Sequence, residues 1–203
     1  MDIKALAQKY EPYIIERRRY FHAHPELSFK EWDTTKALVA EFEKMGMEIQ
    51  TFPDYPGLIA TLDTGKPGRT VMLRADIDAL PVKEGTGLEF ASQNEGVMHA
   101  CGHDNHMAML LGAAHILLEK KDELKGKVKF LLQSGEEMAC GAKYYVDHNI
   151  LDGVDAIFGQ HIWGTLDAPY VCVAAGNRMA SCDNFTIRVK GLQSHGSAPQ
   201  DGH

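Results

Sequence analysis

Between residues 47 and 159 the sequence alternates short apolar or β-branched runs with stretches of helical period, and this alternation restricts the fold more than any other feature. Strand patterns fall at residues 47–52, 58–62, 70–73, 127–132 and 156–159, and helical patterns at about 104–118 and 139–148. Strands interleaved with helices imply an α/β fold with a mostly parallel central sheet and helices on both faces. Ahead of this region, residues 3–21 place Ile3, Leu6, Ala7 and Tyr10 on one helical face. Pro12 is expected to break that helix or begin another, because proline lacks an N–H and its ring crowds the preceding turn. A second helix is expected from about Lys30 to Met45, with Leu38, Phe42 and Met45 on its apolar face and Gly46 as its stop. Asp63 to Gly68, read as D-T-G-K-P-G, is a turn. Residues 74–98 are irregular, and a loop of that length inside a domain is usually functional or disordered.

The last part of the chain breaks the pattern. Residues 185–190, F-T-I-R-V-K, alternate as a half-exposed antiparallel strand does, after a small and polar stretch at 174–184. A boundary is therefore expected there, with one domain over residues 1–181 and the start of a second over 182–203. A strand with one apolar face needs partners, and the thirteen residues after Lys190 look like loop. On this reading the chain is the amino-terminal portion of a longer protein.

Composition removes several classes. Of 203 residues, 44% are hydrophobic and 24% charged, enough apolar content to offset the entropy of ordering, so disorder is excluded. Twenty-one Lys and Arg against 28 Asp and Glu give a net charge of −7, which offers no footprint for nucleic acid. The most apolar window, residues 107–118, contains His115 and falls short of the roughly 18 residues of a membrane span. Met1-Asp2-Ile3-Lys4 shows no basic patch leading into an apolar run, so no secretory signal is expected. Cys101, Cys140, Cys172 and Cys182 are irregularly spaced and read as reduced thiols, and cytoplasm is the expected compartment.

Four clusters sit where an α/β sheet gathers ligands, beyond the carboxyl ends of strands or at a helix start. They are Arg74-Ala75-Asp76-Ile77-Asp78, Glu136-Glu137, His161-Ile162-Trp163, and the run from His99 to His106. Each has a plainer explanation: a lone Asp76 or Asp78 caps turns, paired glutamates face solvent, and a lone His161 can be a satisfied buried imidazole. The run H-A-C-G-H-D-N-H is hardest to explain by packing. Cys101 and His103, two apart at an extended helix entry, can face one side, with His106 on the first turn. Asp104 either caps the helix or orients an imidazole. Thiolate, imidazole and carboxylate together suit zinc and similar divalent ions. One glutamate of the pair can bind metal while its neighbour acts as general base.

In these residues the chain resembles the M20 metallopeptidases, in particular their amidohydrolase branch of hippurate, N-acyl-amino-acid and auxin-conjugate hydrolases. The resemblance rests on R-R-R-Y-F-H-A-H-P-E-L-S (residues 17–28), L-R-A-D-I-D-A-L-P (73–81), M-H-A-C-G-H-D-N-H (98–106), Gln133 to Glu137, Gly159 to Trp163 and Gly191 to Pro199, in the family's order. It implies Cys101, His103, Glu137 and His161 as ligands of two divalent ions, zinc, manganese, cobalt or nickel. It implies Glu136 as general base, Asp76 as the residue that orients a metal-binding histidine, and His195 as an imidazole steadying the oxyanion from a smaller α+β lid domain. The expected reaction is hydrolysis of the amide bond of a small N-acyl amino acid or related conjugate. Such relatives also form homodimers through the lid.

Two positions depart from the family pattern. Ser134-Gly135 stands where Pro-Ala is common, and Pro199-Gln200 where Pro-His is common. A late histidine that supplies the last ligand in the family has no counterpart here, since His203 does not match its motif. Three rival readings follow: a non-catalytic metal-binding fragment, a dipeptidase of the same family, and a cysteine hydrolase using Cys101 with His103. The last is disfavoured because residues two apart at a helix entry rarely set nucleophile against base.

Overall fold

Pro12 does not interrupt the first helix. In the computed structural model, which describes residues 2–182 and 185–202, α1 runs unbroken over Ile3–Ala23 with Pro12 inside it. Gln8, whose carbonyl loses its partner, is exposed, as is Pro12, so water can take up the missing bond. Burial of Leu6 and Phe21 on the opposite side holds the helix, and the Asp2 carboxylate accepts from the Lys4 N–H at its start. Met1 and His203, named above, and the last two residues of the stretch 174–184 lie outside the described residues.

The remaining elements follow in chain order. They are α2 (Trp32–Lys44), β1 (Glu48–Thr51), β2 (Gly57–Asp63), β3 (Thr70–Asp76), α3 (His103–Glu119), β4 (Lys127–Gln133), α4 (Gly141–Asp147) and β5 (Ala156–Gly159). The five strands form one sheet in the order β1-β2-β4-β3-β5. β3 pairs in parallel with both β4 and β5, whereas β2 is antiparallel to β4 and to β1. Four strands therefore point the same way and β2 alone runs against them, which agrees with the α/β expectation.

Helices cover both faces. Phe21 of α1, Leu38 and Phe42 of α2, and Met107 and Leu111 of α3 pack against Leu58, Ala60, Ala75, Phe130 and Leu132 of the sheet. On the other face Tyr145 of α4 packs with Phe52, Ile59, Met72 and Leu131. Neighbouring strand residues divide between these two cores, as a period of two requires. Each fully buried leucine or phenylalanine adds about 1.5–3 kcal/mol over its exposed state.

The register sets up the site. Asp76 stands opposite Gln133, and Arg74 opposite Gly159, so the carboxyl ends of β3, β4 and β5 lie side by side. Residues 77–102 carry two single bridges, Leu27 with Ala79 and Leu80 with Met98, which bind the long connection down.

The chain divides into two units, Met1–Leu166 and Asp167–His203. The boundary expected after residue 181 falls within the second. In that unit the described residues contain one 3-10 turn, Pro199–Asp201, and the strand expected over 185–190 does not form. Phe185, Ile187 and Val189 are 84%, 76% and 87% exposed, so the alternating pattern is present without a surface to bury it. A strand takes its hydrogen bonds from a neighbour, and among the described residues none pairs with this segment. No helix among the described residues is long and apolar enough to cross a membrane.

Candidate metal centre

Two residues past β3, Asp78 is buried and takes its hydrogen bonds from three other stretches of chain. Ser28 Oγ donates to its Oδ2 at 2.7 Å, and the Glu137 N–H donates to the same oxygen at 3.0 Å. His103 Nδ1 lies 2.9 Å from the Asp78 carbonyl oxygen, which can only accept. A proton of the imidazole is thereby fixed on Nδ1, so that in the neutral ring Nε2 carries the lone pair; burial lowers the His103 pKa, but Asp78, Asp76 and Glu137 outweigh it and raise it. That Nε2 is buried, has no hydrogen-bond partner, and faces Glu136 Oε2 at 3.7 Å and Glu137 Oε1 at 3.8 Å.

Two other stretches reach the same place. Gly102 adopts φ +97° just before α3, and the Ile162 side chain occupies the space a Cβ would need there. This turn lets Cys101 and His103 face one centre although α3 begins between them. His161, two residues beyond β5, sets its Nε2 3.2 Å from Cys101 Sγ, while its Nδ1 contacts the Ile162 carbonyl. One ligand atom each from Cys101, His103 and His161 falls within 4.8 Å of the others, and so do those of His103, Glu136 and Glu137. A third such group joins Asp76, His103 and His106. The His106 Nε2 accepts from the Ile162 N–H at 3.1 Å, which ties the start of α3 to the His161 segment.

Electrostatics show what the cluster lacks. Burial, with the charges of Glu137 and Glu136, pushes the Cys101 thiol up to about 12. Burial raises Glu137, partly offset by His103, and raises Asp76 to about 6 despite the Arg74 guanidinium that pairs with it. His106 is pushed down to about 3 by burial and by the neighbouring imidazoles. Asp78 stays below the usual carboxylate range: burial opposes this, but His103, Ser28 and the Glu137 N–H outweigh it. Four carboxylates surround one imidazole, and Glu137 Oε1 as well as His103 Nε2 is a buried polar atom without a partner. Such atoms are costly unless something binds them. A divalent transition ion would satisfy these atoms, since sulfur, nitrogen and oxygen donors of this mix suit zinc and its neighbours.

The structure thus brings Cys101, His103, Glu136, Glu137 and His161 to one point, around His103. Asp76 lies close by, paired with Arg74, but the His103 Nδ1–H donates to Asp78 instead. His195 belongs to the second unit, where it is exposed and its Nδ1 sits 2.8 Å from Ser197 Oγ. The part played by Asp78 has a sequence signal: in an extended R-A-D-I-D run, residues 76 and 78 point to the same side. Ser28, which holds Asp78, carries no such signal.

Comparison with known proteins bears on this geometry. The model of peptidase family M20/M25/M40 matches residues 72–198. The chain belongs to this family. An N-acyl-L-amino acid amidohydrolase of Geobacillus stearothermophilus is 42% identical over 199 residues, 98% of this chain and 54% of that protein. Thermostable carboxypeptidase 1 of Saccharolobus solfataricus is 42% identical over 202 residues, 98% of this chain and 51% of that one. Among solved structures, the Bacillus subtilis YXEP protein, described as a dinuclear metal binding peptidase of the M20 family, aligns with TM-score 0.74 and 44% identity. That alignment covers 80% of this chain and 45% of YXEP. The M20 chain described here spans about half the length of the curated relatives it matches.

Proposed function

We propose that this chain supplies the metal-binding part of a metal-dependent amidohydrolase that cleaves the amide bond of N-acyl amino acids or related small conjugates. The observation that carries the reading is the convergence of Cys101, His103, Glu137 and His161 on one centre, with the Glu136 carboxylate beside it. These four residues would hold two divalent ions, with zinc, manganese, cobalt and nickel all suited to the donors. When bound, such ions polarise a carbonyl and bring the pKa of water from 15.7 toward about 7.

The chain's own residues divide the remaining work. Asp78 fixes the His103 tautomer, so that Nε2 rather than Nδ1 is presented. Glu136, with its side chain 39% exposed, is open to substrate and water; it takes the proton of the attacking water and returns it to the leaving amine. Asp76 lends negative charge behind His103, opposite Arg74. To His195 the family resemblance assigns the steadying of the oxyanion, and to residues 182–203 the beginning of the lid domain. Four free cysteines fit a reducing compartment, and we assign the protein to the cytoplasm on that basis.

The relative named N-acyl-L-amino acid amidohydrolase supports the substrate class. The equally similar relative named thermostable carboxypeptidase favours a second reading, cleavage of a peptide bond. Assay of the whole protein on N-acetyl and N-benzoyl amino acids beside dipeptides separates the two. Replacing Glu136 by Gln lowers hydrolysis by about 10²–10⁴-fold with bound metal unchanged. Hydrolysis near the wild-type rate would overturn the assignment.

A further inference from the structure

The connection between α1 and α2 touches the metal centre from behind at three places. Ser28 Oγ donates to Asp78 Oδ2 at 2.7 Å, the oxygen that also receives the Glu137 N–H. Phe29, a non-glycine residue at φ +64°, lays its ring where a Cβ on Gly135 would stand, 2.2 Å from that position. Glu31, 0% exposed, accepts from Ser134 Oγ at 2.9 and 2.8 Å with its two oxygens and from the Gly135 N–H at 3.1 Å.

Glu31 has no ordinary reason to be where it is. Although it precedes α2, its side chain makes no cap hydrogen bond to the helix. Among the described residues no Lys, Arg or His pairs with it. A leucine would fill the same space without the cost of taking a carboxylate out of water. Apart from its own backbone N–H, the donors that reach its side chain among the described residues come from Ser134 and Gly135, the two residues that lead directly into Glu136 and Glu137. Among the described residues, the Ser134 hydroxyl is the only side-chain donor to Glu31.

We propose that the Ser28–Phe29–Glu31 connection is a positioning brace, in which Glu31 sets the place of the Glu136–Glu137 pair and Ser28 that of Asp78. The brace rests on the reading of Glu137 and His103 as metal ligands. Its action is indirect. Glu31 fixes the backbone at Gly135, Gly135 turns at φ +72°, and the next two side chains are thereby aimed at His103 Nε2. Ser28 completes the arrangement from the other end, since Asp78 orients both the His103 ring and the Glu137 backbone.

The test titrates Co²⁺ into the full chain and reads both affinity and the visible d–d spectrum. Wild type is compared with Glu31→Ala, Glu31→Gln and Leu6→Ala, the last a core change in α1 that lowers stability away from the centre. The expected result is a loss of about tenfold or more in Co²⁺ affinity with an altered spectrum for Glu31→Ala. Glu31→Gln keeps an acceptor for the Gly135 N–H, and the Ser134 hydroxyl can rotate to meet its amide, so it recovers most of the affinity. Leu6→Ala retains wild-type affinity and spectrum. If Glu31→Ala does not fold, Glu31→Asp, which withdraws the carboxylate by one methylene, is read the same way. Wild-type affinity and spectrum in the alanine or aspartate variant, or an equal loss in Leu6→Ala, overturns the brace. Absence of Co²⁺ uptake by wild type overturns the metal reading and the brace with it.

Discussion

His22 Nδ1 lies 2.7 Å from Asp104 Oδ2, so a side chain near the end of α1 grips the residue that follows His103 in α3. The other ring nitrogen, Nε2, lies 3.1 Å from Glu84 Oε1 in the long connection after β3. Both partners are carboxylates, and both ring nitrogens must donate. His22 is therefore an imidazolium, buried between two acids, with Arg18 Nε also 2.9 Å from Asp104. One charge network thus links α1, the 77–102 connection and the first turn of α3.

Replacing His22 by Ala is expected to destabilise the fold by about 3 kcal/mol, the lower end for breaking a buried pair, because Arg18 remains beside Asp104. The effect depends on pH in a definite direction. The hydrogen bond to Asp104 raises the His22 pKa, burial opposes it, and Glu84 adds to the rise. A raised native pKa contributes stability that is complete below the ordinary histidine value of about 6.5 and is lost as pH climbs through the native value. Urea unfolding of wild type and His22→Gln between acid and alkaline pH should show a stability gap that narrows upward. A gap that stays constant would show that the ring is held neutral.

Gly135→Ala places a methyl group against the Phe29 ring and asks an L residue to adopt φ +72°. The left-handed conformation alone costs about 1–2 kcal/mol, and the clash adds to it. Pairing the change with Phe29→Ala separates the two effects. The double variant should regain the part of the melting temperature lost to the clash but not the part lost to the backbone.

Uptake of metal should release a proton from Cys101. Its thiol, pushed up to about 12, is protonated at neutral pH and must ionise to bind. Zn²⁺ affinity should therefore rise with pH, by about tenfold per unit for each thiol that ionises. Calorimetry in buffers of different ionisation enthalpy should find about one proton fewer released by Cys101→Ser than by wild type. Equal release in the two proteins would remove Cys101 from the ligand set.

The strands and helices were legible because their patterns are local. β5, Ala156–Gly159, matches its sequence pattern residue for residue, and the other four strands differ by one to three residues at an end. Pro12 was misjudged because a break depends on which side of the helix faces water, and sequence alone does not say that Gln8 and Pro12 are exposed together. The segment 185–190 was misjudged for the opposite reason: its alternation is a real local preference, but strand formation needs a partner. In the candidate site, Cys101, His103, Glu136, Glu137 and His161 could be picked out as clusters of chemically able side chains after strands or at a helix start. Asp78 and Asp76 could not be told apart, because what distinguishes them is the register of β3 and the reach of His103. Ser28 and Glu31 act across more than 100 residues of chain in the case of Glu31 and Ser134, and no periodicity encodes such a contact.

β5 is held to β3 by only four paired positions, from Val71 opposite Ala156 to Arg74 opposite Gly159. A slip of one residue along this short ladder would carry His161 about 3.3 Å and turn each β5 side chain to the opposite face. Cys101 would then lose its imidazole neighbour, while most of the sheet remained intact. An ion gripped by both residues would discriminate between the correct and the shifted alignment, acting as a proofreader of this edge strand.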